Sequence, residues 1–132
     1  MATLLDTDVA IHLRDGDPWV EEQIKQLDPP LLISAITRVE LENGVWRDPE
    51  WSEVRRARLN QLLKALRMLD FDAAAVDAYR RIVSSTGYSR RKTADRMTAA
   101  TALAHDLPLV TFNAQDFREV SGLRLLAWSR ER

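Results

Sequence analysis

Thr3-Leu4-Leu5-Asp6-Thr7-Asp8 is the stretch from which the rest of the chain is best read. A short apolar run bounded at once by acids is the pattern of a buried strand followed by a polar loop beyond its C-terminal end. Leu31-Leu32-Ile33-Ser34, Pro108-Leu109-Val110-Thr111-Phe112 and Leu123–Trp128 repeat the pattern, and Arg67-Met68-Leu69 is a briefer version. The segments between carry helix punctuation. Asp17-Pro18 supplies a cap and a first-turn proline for a helix running to about Leu27, stopped by Pro29-Pro30. A second helix runs from Thr37 to about Trp46. Asp48-Pro49 repeats the cap ahead of a stripe of Leu59, Leu62, Leu63 and Leu66. Asp72 caps a helix whose Val76, Tyr79, Ile82 and Val83 share a face and which Gly87 ends, and a small-residue helix follows from Ala94 to about His105. Short apolar strands alternating with helices predict an α/β fold, a parallel sheet of about five strands flanked by helices on both faces. With no repeat, low-complexity tract or linker, the 132 residues read as one domain, 1–132.

Composition narrows the function classes. The chain is 45% hydrophobic and 30% charged, and its 19 basic and 20 acidic residues leave a formal charge of −1, so no overall field draws it to nucleic acid or membrane. The absence of cysteine removes disulfides, thiolate metal sites and a cysteine nucleophile. His12 and His105 are too few for a multi-histidine zinc site. Acids arrive too early after Met1 for a secretory signal or a membrane span, which predicts a soluble, cytoplasmic protein without a membrane partner.

In parallel sheets, ligands bind outside the C-terminal ends of the strands. Asp6 and Asp8 follow the first strand, Glu40 lies in the first turn of the helix after the second, Asp95 opens the small-residue helix, and Asp116 follows the Pro108–Phe112 strand. Carboxylates drawn to one end of a sheet repel one another unless a cation sits among them. An oxygen-only ligand set selects a hard ion, Mg²⁺ or Mn²⁺, which activates water and stabilises phosphate oxygens. Each acid also has a purely structural explanation. Thr37-Arg38-Val39-Glu40 matches a capping box, Asp95 complements a helix dipole, Asp6 and Asp8 suit Asx turns, and Asp116 suits a cap on a short turn through Phe117. Capping and metal binding are compatible for Glu40, since one oxygen suffices for each.

Leu4-Leu5-Asp6-Thr7-Asp8-Val9, Ser34-Ala35-Ile36-Thr37-Arg38-Val39-Glu40-Leu41, Asp95-Arg96-Met97-Thr98-Ala99-Ala100-Thr101-Ala102 and Leu109-Val110-Thr111-Phe112-Asn113-Ala114-Gln115-Asp116-Phe117 resemble, in order, the four motifs of PIN-domain ribonucleases. Order, spacing and length resemble the toxins of VapBC-type toxin–antitoxin pairs over essentially the whole chain. The resemblance implies a PIN-like three-layer sandwich in which Asp6, Glu40, Asp95 and Asp116 form an acidic pocket for Mg²⁺ or Mn²⁺, supported by Thr7 and Asn113. It implies metal-dependent hydrolysis of RNA, a homodimer, and a VapB-type antitoxin that sets a basic residue into the pocket. Asp8 stands where the family commonly has Asn and is not taken as a ligand. Arg96 and Thr98 stand where small and apolar residues are more usual.

An acidic pocket needs a positive rim to hold a polyanion. Arg80, Arg81, Arg90, Arg91 and Lys92 crowd the approach to Asp95, with Tyr88 available to stack on a base in what reads as a mobile loop, and Arg38 lies two residues before Glu40. Arg38, Tyr88, Arg90, Arg91 and Lys92 are therefore the candidate RNA contacts, against the alternative of a solvated charge run. His12, between apolar neighbours, reads as a partly buried helix residue and His105 as a helix-end complement. The leucine stripe with Trp46 and Trp51 exceeds what a small core hides and allows a protein interface. Competing functions are a PIN-like nuclease with a housekeeping RNA-processing or DNA-directed role, an inactive binding module, and a phosphoacceptor domain using Asp70, for which the expected lysine after Phe112 or Trp128 is missing.

Overall fold

Leu4 and Leu5 are both wholly buried, and successive strand residues face opposite sides, so the first strand must be covered on both faces. A computed structural model describing residues 2–130 has this arrangement. The order is β1 (Thr3–Leu5), α1 (Thr7–Arg14), α2 (Pro18–Ile24), β2 (Leu31–Ser34), α3 (Ala35–Arg47), a 3₁₀ turn (Pro49–Trp51), α4 (Ser52–Leu63), β3 (Arg67–Leu69), α5 (Ala73–Thr86), α6 (Thr93–Ala104), β4 (Leu109–Thr111), a second 3₁₀ turn (Ala114–Phe117) and β5 (Leu125–Ala127). The five strands are parallel in the order β3-β2-β1-β4-β5.

Register sorts the core into two halves. Leu4 pairs with Leu32 and Leu109, and this row packs with Ala78 and Ile82 of α5, Ala99, Ala100 and Ala102 of α6, and Phe117. Leu5 pairs with Ile33 and Val110, and this row packs with Val9, Ala10, Val20, Leu41, Val45 and Leu59 from α1 to α4. One residue further, the same register brings Ser34, Asp6 and Thr111 abreast on the α6 side, all buried. After two apolar rows the sheet ends in a polar one. The chain leaves β1 toward β2 and later returns to β4 on its other flank, so the crevice between β1 and β4 is where an open parallel sheet binds ligands.

The five strands and the flanking helices match the expected α/β arrangement, while several local boundaries differ. Asp6 to Asp8 form no loop: Asp6 Oδ1 accepts from the Thr7 amide at 2.9 Å, and α1 begins at once. α3 starts at Ala35 because Ser34 Oγ takes the Thr37 amide at 3.0 Å, so the Thr37–Glu40 capping box does not form. Asp48-Pro49 opens the 3₁₀ turn without a side-chain cap, its carboxylate drawn instead to Arg55 at 2.8 Å. α2 closes at Ile24. The buried face of α5 is Ala75, Ala78 and Ile82, with Val76 49% exposed, since the α5–α6 contact admits small side chains closely. Gly87 ends α5 at φ +86, a conformation costly for side chains bearing Cβ. Among the described residues no helix is long and apolar enough to cross a membrane.

This packing sets a stability contrast. Leu59→Ala, at the wholly buried residue of α4, lowers unfolding free energy by about 2–5 kcal/mol. Val76→Ala changes it by roughly 0.5 kcal/mol or less, as an exposed site should. Chemical denaturation of both variants checks the pair; equal losses would contradict the assigned α5 face.

Candidate acidic site at the sheet switch point

The polar row places Asp6 in the crevice. Its Oδ1 caps α1, its Oδ2 accepts from Thr111 Oγ1 at 2.7 Å, and only 5% of the residue is exposed. Burial, then the Asp8 charge, pushes its carboxyl up to about 7, against the Thr111 and Thr7 hydrogen bonds, with Asp95 adding further repulsion. Asp8, one residue into α1, caps locally through the Val9 amide at 2.7 Å. Its other oxygen crosses to β4's exit, accepting from Asn113 Nδ2 at 2.7 Å and the Phe112 amide at 3.2 Å. Burial raises its carboxyl as well, the hydrogen bonds opposing.

Glu40 lies on the second turn of α3 and accepts from Thr7 Oγ1 at 2.6 Å. Asp95 sits in the first turn of α6, its carboxyl raised by burial and then by the charges of Asp116, Glu40 and Asp8, with Arg91 opposing. Asp116 is exposed within the second 3₁₀ turn, which it does not cap. The fold therefore brings Asp6, Asp8, Glu40, Asp95 and Asp116 into one electrostatic neighbourhood, drawn from α1, α3, α6 and the β4 exit.

Two classes of acid emerge. Glu42 is held by Arg38 and Arg56, Asp48 by Arg55 and Arg47, and Glu119 by Lys92 and Arg96, and in each case those partners pull the carboxyl below its ordinary value. Asp6, Asp8 and Glu40 are held by hydroxyls and amides instead, which orient a carboxylate without cancelling its charge. Asp95 and Asp116 accept no hydrogen bond from the described residues. The donor set is oxygen alone, and its uncompensated charge is what a hard divalent cation relieves. It fits Mg²⁺ or Mn²⁺ in type. Among the described residues, no three such side chains already stand grouped to hold an ion, and Asp6, Asp8 and Glu40 are each engaged by hydrogen-bond donors. Asp95 and Asp116 are the carboxylates with freedom to turn toward one.

Thr7 and Asn113 each bond one acid of the group. Asn113 serves Asp8, and Thr7 serves Glu40. Arg38 is committed to Glu42 at 3.2 Å, and Lys92 to Glu119 at 3.2 Å, so neither is a free cation of the rim. Tyr88 is 76% exposed, and the side chains of Arg90 and Arg91 are exposed without a hydrogen bond or ion pair among the described residues. The loop carrying them is tied from beneath, Arg96 Nη1 donating to Gly87 O at 2.6 Å and Thr93 Oγ1 to Ser89 O at 2.9 Å. Thr111, Ser34, Thr37 and Thr98 were not singled out as site residues. A hydroxyl ending each apolar strand, abreast of Asp6, was the signal available for Thr111 and Ser34.

A family model for the PIN domain matches residues 3–123. The chain is 30% identical over 129 residues to the tRNA(fMet)-specific endonuclease VapC of Shigella flexneri, covering 96% of this chain and 97% of that one. It is 28% identical to ribonuclease VapC1 of Rickettsia felis, covering 98% of both. It superimposes on a chain of the Rickettsia felis VapBC2 crystal structure, bound to a DNA fragment from their promoter, with a TM-score of 0.84 and 25% identity, covering 98% of this chain and 100% of that chain. The chain belongs to the PIN domain family, as one of its VapC-type members.

Proposed function

We propose that the chain is an endoribonuclease that hydrolyses RNA phosphodiester bonds with Mg²⁺ or Mn²⁺ held by Asp6, Glu40, Asp95 and Asp116, and that it acts as the toxin of a VapBC-type pair. The carrying observation is the mutual repulsion of these acids at the β1–β4 crevice, with hydroxyls and amides where ion-pair partners stand elsewhere. RNA as substrate is supported by the names of the relatives, an endonuclease specific for tRNA(fMet) and a ribonuclease. A bound cation supplies activation of water and charge neutralisation at the phosphate.

The chain's own groups hold and present. Asp6 and Asp8 fix the floor through Thr111, Asn113 and the Phe112 amide. Arg91, close enough to Asp95 to oppose its repulsion, meets the phosphate backbone with Arg90, and the exposed Tyr88 ring offers a base a stacking surface. Among the described residues no covalent nucleophile is served by a base: His12 packs on Phe112 at 5.3 Å and faces Asp17 at 3.4 Å. The phosphoacceptor alternative loses its Asp70, because β3 lies at the sheet edge with β2 between it and β1. A VapB-type antitoxin and a homodimer are the expected protein partners, supported by the VapBC2 structural relative and by exposed Val39, Trp46, Trp51 and Val54 on the α3–α4 side.

Three outcomes test this. Asp6→Ala and Asp95→Ala each lower Mg²⁺-dependent RNA cleavage by at least about 10²-fold, by analogy with loss of one stabilising group. Cleavage persisting in both variants or in EDTA refutes the proposal. Replacing Arg90 and Arg91 together by Ala lowers the salt slope of RNA binding by about 2, read by fluorescence anisotropy in EDTA. An unchanged slope removes them from the interface. Finally, the folded Asp6 carboxyl titrates near 7 against an ordinary 3.8, so the folded chain keeps a proton that the unfolded chain releases. Its stability contribution is full below pH 4 and lost as pH rises through 7. Asp6→Asn in EDTA is therefore more stable than the parent chain at pH 8, by on the order of a few kcal/mol, and loses that advantage at pH 4. Thermal unfolding at both pH values decides it, an unchanged or lower midpoint at pH 8 counting against a buried, repelled carboxylate.

A further inference from the structure

Behind the acids runs a line of buried hydroxyls. Thr98 Oγ1 lies 3.1 Å from Ser34 Oγ, Ser34 Oγ donates to Thr37 Oγ1 at 3.3 Å, Thr37 Oγ1 lies 2.9 Å from Thr7 Oγ1, and Thr7 Oγ1 donates to Glu40 at 2.6 Å. A hydroxyl has a single proton to give. Since Thr7 spends its own on Glu40 and Ser34 spends its own on Thr37, Thr37 must donate to Thr7 and Thr98 to Ser34. Every proton in the line points toward the Glu40 carboxylate, and each bond polarises the next. Ser34 and Thr37 are wholly buried and Thr98 is 1% exposed, so water does not compete for these three hydroxyls, while Thr7 is half-buried.

The line also crosses elements. Thr98 lies on α6 one turn beyond Asp95, Ser34 ends β2, Thr37 and Glu40 belong to α3, and Thr7 belongs to α1, which Asp6 caps. Val at 98 would leave Ser34 Oγ with both of its Thr37 partners, so burial by itself supplies no reason for a hydroxyl there, whereas Val at 37 would take from Ser34 the acceptor of its proton.

We infer that Thr98, Ser34 and Thr37 are positioning residues: their hydroxyl line, ending in Thr7, orients Glu40 and fixes its separation from Asp95, and so sets how tightly the pocket takes a divalent cation. The inference rests on the proposed role of Glu40 and Asp95. Groups that orient metal-binding side chains typically govern affinity by 10–100-fold.

The experiment measures Mn²⁺ binding by isothermal titration calorimetry, beside thermal unfolding and the kcat and KM of RNA cleavage, for Thr37→Val, Thr98→Val, Thr37→Ser and Thr98→Ser. The Val variants bind Mn²⁺ about 10-fold more weakly and lose kcat while KM for RNA holds. The Ser variants, which keep the hydroxyl, restore both. Should Thr37→Val fail to fold, Thr98→Val, which removes a single terminal bond, decides. Val variants that bind Mn²⁺ as the parent chain does, whatever their unfolding midpoint, overturn the inference, as do Ser variants that fail to rescue. A parent chain that takes up no Mn²⁺ overturns the proposed site and this inference together. Unchanged Val variants of a Mn²⁺-binding parent overturn this inference alone.

Discussion

Asp6 is asked to be charged in a place that disfavours charge. Its carboxylate stands at the end of β1 with little water around it and with Asp8 and Asp95 as neighbours. What keeps it there is a pair of neutral donors, the Thr7 amide and the Thr111 hydroxyl. The amide makes Asp6 the cap of α1, so the first helix cannot start anywhere else. The hydroxyl joins β1 to β4, so the crevice at the switch of strand order closes around the acid. Much of the surrounding architecture serves this one side chain, from the small-residue helix α6 to the short strands.

The distribution of cations follows the same logic. A guanidinium beside Asp6 would relieve its burial and occupy the place a divalent ion needs. Arginines and lysine are instead spent on Glu42, Asp48 and Glu119, which carry no proposed chemistry. Local instability is thereby kept at the functional end, while the two apolar rows below supply the cohesion, a division expected wherever a site needs groups that folding alone would reject.

Much of this was legible in the chain. Apolar triplets ending in acids or hydroxyls marked β1, β2 and β4, because a parallel strand buried on both faces leaves no room for alternation. The acids stood out because they follow strands or stand near helix starts, although Glu40 lies a turn further into α3 than its spacing from Thr37 suggests. What escaped was competition between neighbouring caps. Ser34 and Thr37 are equally good helix starters, and the hydrogen bond from the Thr37 amide to Ser34 Oγ shows that Ser34 wins. Asn113 and Thr7 each bond a carboxylate, yet which one each meets depends on side-chain directions that spacing leaves open. The charge of the loop before α6 was plain; that Arg96 ties it to the body required a buried guanidinium that sequence pattern gives little reason to expect.

The hydrogen bond from Thr111 to Asp6 spans 105 positions. During synthesis α6 and β4 leave the ribosome well after β1, α1 and α3. Until β4 docks beside β1, Asp6 lacks its hydroxyl donor and the crevice has a single wall. The acids then remain apart in water, where they repel weakly and organise nothing. A nascent chain thus lacks the assembled acidic crevice until β4 has emerged and docked. For a protein whose activity would attack RNA, the topology itself times the onset, delaying it until folding and any partner's capture can occur together.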